Sequence, residues 1–449
     1  MLVLSICNSV RSSLRDFRRA QDGNIAIIFA LASLPVIGLM GAAIDYSRAN
    51  SARTALQAAL DATGLTLSKE AQSLSSAQLN EKALKYFLAN FNRPQATDVK
   101  IETVFTDLNN GKYKLDISGT AQLPATITGW WREKFTLASD TQVIWGYKKL
   151  ELALALDNTG SMSSNKKMDQ LKTAAKNLIE TLKKAAKKDG DIKISIIPFA
   201  TDVNVGTGNV NAEWIRWDEW EADDTNHTCM KSGKEVTDSK NRRITTQSAC
   251  KTQDKSATWQ LNAKSTWNGC VWDRDQSNDV KNTATNKNIK DTKFSAHQAS
   301  NCPVAMLPLT YNWTTLTNKI DAMTPVGNTN VTIGLALAWQ TLSPVAPFNA
   351  ATPNTDLDKV IILLTDGDNT QNRFSTNKNT IDARTKLACQ NAKDANIKIY
   401  SIRVINGNAS LLRDCATKTD MYYDVQDASQ LNTVFTNIAN SLASLRLSQ

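Results

Sequence analysis

The stretch Lys149–Ser163, KLELALALDNTGSMS, decides the fold. Leu150, Leu152, Leu154 and Leu156, interleaved with Ala153 and Ala155, read as a buried strand that stops at Asp157. The chain then turns through Asn158, Thr159 and Gly160 into Ser161, and a helix follows from about Lys166. Asp157, Thr159 and Ser161 therefore stand at alternate positions beyond the C-terminal end of a strand, the edge at which open α/β sheets bind ligands. Oxygen-only donors suit a hard divalent cation, Mg²⁺ first, with Mn²⁺ or Ca²⁺ as alternatives.

Downstream, residues 168–188 have helical spacing. Met168, Leu171, Ala175, Leu178, Leu182 and Ala185 form the buried stripe, and Lys166, Lys172, Lys176, Lys183 and Lys187 a solvated face. Asp189-Gly190-Asp191 turns the chain into a second apolar strand, Ile192–Phe199. This alternation predicts a parallel, doubly wound sheet. It resumes after residue 310 with a short helix (312–323), the loop Thr324–Asn330 (TPVGNTN) and a helix from Thr332 to Leu342. The strand Lys359–Leu364 then runs into Thr365-Asp366-Gly367-Asp368. A helix (379–395), the strand Ile397–Val404, the segment Leu411–Thr417, an edge strand at Tyr422–Val425 and a last helix (428–446) complete the pattern. Thr329 and Asp366 join the candidate donors, with Asp368 as a rival to Asp366. DGDNTQN imitates an EF-hand start, but Gln371 and Asn377 stand where Gly and Glu are required.

The interruption, about 203–310, is rich in Asn, Thr, Lys and Asp. It carries Trp214, Trp217, Trp220, Trp259, Trp267 and Trp272, four cysteines, and the two histidines of the chain, His227 and His297. Disulfides and aromatic packing are expected to hold such a polar segment. A tryptophan surface for glycan or protein contact and a His/Cys zinc site are the rival readings. Cys229, Cys250, Cys270 and Cys302 permit three pairings, and Cys389 and Cys415 are placed to pair across neighbouring elements. Six cysteines beyond an apolar segment indicate an oxidising compartment. None forms C-x-x-C. Cys7 stands alone, and its surroundings do not make a lipoprotein box.

Toward the N-terminus, Ile25–Ile44 (IAIIFALASLPVIGLMGAAI) is twenty residues without a charge, long enough to span a bilayer despite Pro35. Arg11, Arg15, Arg18 and Arg19 ahead of it place the N-terminus in the cytoplasm and export the remainder. A signal peptide ending at Gly41-Ala42-Ala43, with an unusually long apolar core, and a prepilin-type leader cut after Gly23, with Ile28 where Glu is usual, are alternatives. The helical pattern continues to about Gln72, giving a rod on the order of 70 Å at 1.5 Å per residue. Its stripe of Leu56, Ala59, Leu60, Thr63 and Leu67 is expected to pack on residues 76–92, with a pilus subunit or a second copy as the other occupant. Residues 97–147 alternate as strands with a turn at Asn109-Asn110-Gly111, and Trp130 and Trp131 read as cover for that small sheet.

In outline, residues 1–22 are a cytoplasmic N-terminus and 23–45 a transmembrane helix. Residues 46–95 are a helical stalk and 96–147 a β-rich spacer. Residues 148–449 form one α/β domain of roughly 190 residues apart from its insertion. With 52 basic and 43 acidic residues the chain is mildly basic, and the lysines are spread along it rather than gathered for nucleic acid.

The loops Asp157/Thr159/Ser161, Thr329 and Asp366, in that order on an αβ background, resemble the metal-ion-dependent adhesion site of von Willebrand factor A (VWA) domains. Thr159 replaces the usual first serine, and its methyl group tightens the site. RRAQDGNIAIIFALASLPVIGLMGAAIDYSRA with LQAALDATGLTL resembles the TadE/TadG-like proteins of the tight-adherence (Tad) pilus system, whose TadG-type members couple such an anchor to a VWA domain. The resemblance implies a bacterial, single-pass inner-membrane protein with a periplasmic or surface-facing C-terminal domain. Its partner, a pilus or envelope protein or a surface ligand, would offer a carboxylate to the metal. A secreted adhesin released by cleavage is the alternative. No G-x-S-x-G, H-E-x-x-H, P-loop or dinucleotide-binding glycine pattern is present, and an enzyme is not expected.

Overall fold

The computed structural model describes residues 23–109, 111–130, 132–353 and 357–445. Residues 1–22, with Cys7 and the arginines, lie outside the described residues, as do Asn110 and Trp131. The chain forms two compact units that divide between Gly146 and Tyr147.

In the first unit a single helix, α1 (Gly23–Leu67), runs through Pro35. Among the described residues its first part is left uncovered: Ile27, Phe29, Leu31, Leu34, Leu39 and Met40 are each about 60–70% exposed. It is the one helix among the described residues long and apolar enough to cross a membrane. From Ala49 onward the helix gains a buried side. A capping box, Ser75 with Gln78, starts α2 (Ser76–Asn90). Strands β1 (Thr97–Asn109), β2 (Lys112–Pro124) and β3 (Lys134–Gly146) then pair antiparallel in the order β1-β2-β3. Leu56, Leu60 and Leu67 of α1 join Leu79, Ala83 and Phe87 of α2 and Leu115, Ile117 and Leu137 of the sheet in one core. The stripe on α1 thus buries against the sheet as well as against α2. The helix ends at Leu67, short of Gln72, and a 3₁₀ turn, Ala71–Ser73, follows. Trp130 does not cover the sheet, contrary to expectation; it is 81% exposed.

The second unit is built on β4 (Lys149–Asp157). With α3 (Lys167–Ala185), β5 (Ile192–Phe199), α4 (Trp313–Asp321) and α5 (Val331–Thr341) it starts the α/β alternation. The remaining elements are β6 (Leu357–Thr365), α6 (Lys378–Asp394), β7 (Lys398–Val404), α7 (Ala409–Cys415), β8 (Tyr422–Val425) and α8 (Leu431–Leu445). The parallel strands run in the order β8-β7-β6-β4-β5. The two-residue period of β4 divides its side chains between two cores. Leu150, Leu152, Leu154 and Leu156 pack with Leu171 and Leu178 of α3 and Phe435 and Ile438 of α8. Ala153 and Ala155 face Leu335 and Ala338 of α5, where small side chains let the helix approach closely. The strand order reverses at β4, so β4 and β6 flank the crevice of the switch point.

Residues 203–310 do not form a detached module. Val203–Asn204, Cys270–Trp272, Phe294–Ala296 and Ile215–Arg216 prolong the main sheet beyond β5, and Leu307–Thr310 pairs antiparallel with β5. Disulfides join Cys229 to Cys250, Cys270 to Cys302, and Cys389 on α6 to Cys415 on α7. Trp220 and Trp267 are buried, and the other four tryptophans are half-buried, so the insert offers no broad tryptophan surface. His227 stacks on Trp259 and His297 on Trp272. With every insert cysteine bonded to another, a His/Cys zinc site has no thiolate to use.

Candidate metal centre

Asp157 closes β4, and its two carboxylate oxygens face different loops. Oδ1 accepts the Thr159 amide at 2.8 Å and the Thr159 hydroxyl at 2.5 Å. Oδ2 accepts the Thr365 hydroxyl, at the end of β6, at 2.6 Å, and the Asp366 amide at 3.3 Å. The Ser161 hydroxyl donates to Asp366 Oδ1 at 2.6 Å and lies 3.0 Å from Thr159 Oγ1. Thr329 arrives from the loop before α5. A Cβ placed on Gly367 would stand 3.6 Å from Thr329 Oγ1 and 3.7 Å from Ser161 Oγ, so both hydroxyls flank that glycine.

The structure therefore gathers Asp157, Thr159, Ser161, Thr329 and Asp366 at one crevice. Four are buried and Ser161 forms the exposed rim. Asp368, the rival donor, turns away and pairs with Lys378 at 2.7 Å. Burial first, and the neighbouring Asp366 carboxylate second, push the Asp157 carboxyl above its usual range, against hydrogen bonds from Thr159 and Thr365.

Sequence reasoning missed Lys167. It opens α3, its side chain is 2% exposed, and its Nζ stands 2.7 Å from Asp366 Oδ2. The available signal was its place directly before Met168, one helical step from the wet-face Lys166. Two carboxylates against one ammonium leave the cluster short of positive charge. Among the described residues no three His, Cys, Asp or Glu side chains converge on a metal position, so any cation here relies on hydroxyls. Two carboxylates and three hydroxyls opening at Ser161 fit a hard divalent ion. The ammonium takes one Asp366 oxygen and leaves the other toward the hydroxyls.

A further set of residues positions these loops. The Thr370 amide donates to the Thr329 carbonyl at 2.9 Å, and the Thr329 amide to Thr370 Oγ1 at 2.8 Å. Asn369 Oδ1 accepts the Val331 amide at 2.8 Å. The insert holds both loops from outside. Asp273 Oδ2 accepts Asn330 Nδ2 at 2.8 Å and the Arg373 amide at 3.2 Å. The Arg373 guanidinium pairs with Glu219 and, at 2.7 Å, with Asp275, which also binds Arg216 at 2.5 Å. Burial raises the Asp273 carboxyl to about 6, against hydrogen bonds from the Arg373 amide and Asn330.

The unit built on this parallel sheet contains residues 280–437, which match the family "von Willebrand factor type A domain". That span includes Thr329 and Asp366 but begins after the Asp157 loop. Residues 23–66 match "Putative Flp pilus-assembly TadE/G-like". The chain thus joins a Tad pilus-assembly TadE/G-like segment to a von Willebrand factor A domain.

No curated protein sequence matches the chain. Similar solved structures include the pilus adhesin SpaC from Lactobacillus rhamnosus GG (13% identity, TM-score 0.36, covering 79% of this chain and 36% of that one). The vWF domain of the type V pili tip protein Mfa5 from Porphyromonas gingivalis has 10% identity and a TM-score of 0.38, covering 67% and 97%. Proximal thread matrix protein 1 from the mussel byssus, with a zinc-occupied MIDAS motif, has 13% identity and a TM-score of 0.33, covering 66% and 46%. The chain spans less than half the length of SpaC and of the mussel protein.

Proposed function

We propose that this chain is a non-enzymatic, membrane-anchored protein of Tad-type pilus assembly and surface adhesion. In this reading α1 holds it in the inner membrane with its N-terminus in the cytoplasm, and the VWA domain works in the periplasm or at the surface. Asp157, Thr159, Ser161, Thr329 and Asp366 hold a divalent cation, Mg²⁺ first. When bound, the cation supplies an electrophilic point to which a partner's Asp or Glu adds the missing oxygen. The protein's own residues set up that contact: Asp157 joins the ends of β4 and β6, Ser161 lines the opening, and Thr370 and Asn369 fix the Thr329 loop. The observation that carries the reading is the convergence of three loops on two buried carboxylates with a hydroxyl at the exposed rim. The TadE/G-like match at α1 supports the pilus setting.

Pull-down of envelope proteins by the full chain in native-membrane extracts tests it. Partner recovery is expected to fall at least tenfold with EDTA and equally with Asp157→Ala. Recovery indifferent to both would remove the cation contact from the account.

A further inference from the structure

Asp45 lies one residue past the uncharged run of α1 and is 1% exposed. The loop joining β2 to β3 encloses it. The Thr126 amide donates to Oδ1 at 3.0 Å, and the Ile127 and Thr128 amides donate to Oδ2 at 2.9 and 2.8 Å. The Thr128 hydroxyl adds a bond of 2.8 Å, and Arg48 reaches Oδ1 at 3.5 Å. The same loop packs on Gly41, where an added Cβ would collide with an Ile127 methyl. At 1.5 Å per residue, Gly41 lies about 6 Å nearer the bilayer than Asp45. The β module is therefore fastened to the helix at the level where the apolar run ends.

What the loop turns outward has the composition of a membrane interface. Trp130 is 81% exposed, Ile127 41%, and Tyr46 on the adjoining turn of α1 71%. Arg132 is exposed just beyond, with its guanidinium over the Phe135 ring. Amphipathic aromatic rings settle at the headgroup layer, and arginines pair with its phosphates. A partly apolar loop held rigidly beside a lipid-crossing helix is carried to that layer by the helix itself.

We propose that the loop 125–130 is a lipid-interface anchor: Ile127 and Trp130 sit in the headgroup layer beside the outer end of α1, and the β module rests on the membrane surface. This rests on the reading of α1 as a membrane anchor. The loop also keeps the Asp45 carboxylate satisfied where water is scarce, since a carboxylate without partners at that depth would be costly.

The test is spin-label accessibility on the full chain, with Cys7→Ser as background and the disulfides intact, in phosphatidylethanolamine/phosphatidylglycerol vesicles holding no other protein. Labels replace Met40, Thr126, Trp130 and Leu65, the last about 30 Å beyond Asp45 along the helix. Collision with a water-soluble nickel chelate is expected to be near zero at 40, full at 65, and at least threefold below the value at 65 for both 126 and 130. Values at 126 and 130 equal to that at 65, with 40 still protected, would overturn the anchor loop, leave the membrane helix intact and point to a protein as cover for Trp130. Exposure at 40 equal to that at 65 would overturn the membrane reading and this proposal with it.

Discussion

Two buried aspartates, one in each unit, show how burial of a carboxylate can serve opposite ends. Asp45 accepts three backbone amides and a hydroxyl, all from the consecutive residues Thr126, Ile127 and Thr128, and its charge is spread over fixed donors. Asp157 is as deeply buried, yet the charged group that acts on it is a second carboxylate, Asp366, and the one ammonium of the cluster, Lys167, is paired to Asp366 rather than to Asp157. The first arrangement is complete and its product is rigidity. The second is short of positive charge and opens at Ser161, which is what a binding site requires.

Breaking the contrast from the metal side has the largest expected effect. Lys167→Met leaves Asp366 without its ammonium and should lower stability by about 4 kcal/mol in divalent-free buffer. The variant should nevertheless gain more than the parent from saturating Mn²⁺, because the tethered cation no longer competes. Thermal unfolding with and without Mn²⁺ reads both effects; equal gains would mean that Lys167 and the cation do not share Asp366.

On the structural side, Asp45→Ala orphans three amides and should cost about 3 kcal/mol locally. Hydrogen exchange at Thr126, Ile127 and Thr128 is expected to quicken by about two orders of magnitude, while β4 and β6 are unaffected. Unchanged exchange would show that the loop is held by Ile127 and Gly41 rather than by the carboxylate.

Asp273 stands between the two cases, buried with two donors beside an ion-paired arginine. Its folded pKa, raised to about 6 from 3.8, means that the folded state binds the proton more tightly than the unfolded one. Its contribution is therefore fullest below pH 4 and declines as pH rises through 6. Asp273→Asn should flatten that decline, gaining on the order of 2 kcal/mol at pH 8 relative to pH 4, measured as the difference between denaturant midpoints at the two pH values. A variant with the parent's pH profile would remove Asp273 from the explanation. The smallest effect belongs to Thr159→Ser, which keeps the hydroxyl and removes one methyl. Mn²⁺ affinity is expected to change less than about threefold, or under about 0.7 kcal/mol.

The parts legible in the sequence were those whose meaning is local. β4 announced itself because five apolar residues in a row, Leu152 to Leu156, can only be buried, and Asp157, Thr159 and Ser161 followed at fixed spacing. Thr329 and Asp366 were legible through the same logic, each at a helix start or a strand end. Lys167 was not, because it sits among lysines of a solvated face and its burial depends on Asp366, some two hundred residues away. Nor was the hold of the insert on the site: Arg373, Glu219 and Asp275 are ordinary surface residues until the chain brings them together. Trp130 was misread for a related reason. Aromatic residues beside a small sheet normally cover it, and nothing nearby reveals that their loop is committed to α1 by Asp45.

Adhesion through a metal requires that Asp157, Thr159, Ser161, Thr329 and Asp366 close around one ion. Mn²⁺ electron paramagnetic resonance on the full chain in lipid nanodiscs tests this directly. One tightly bound Mn²⁺ per chain, displaced by Mg²⁺ and lost in both Asp157→Asn and Ser161→Ala, is the predicted result. No bound Mn²⁺ at millimolar concentration, or binding that survives both substitutions, would contradict it.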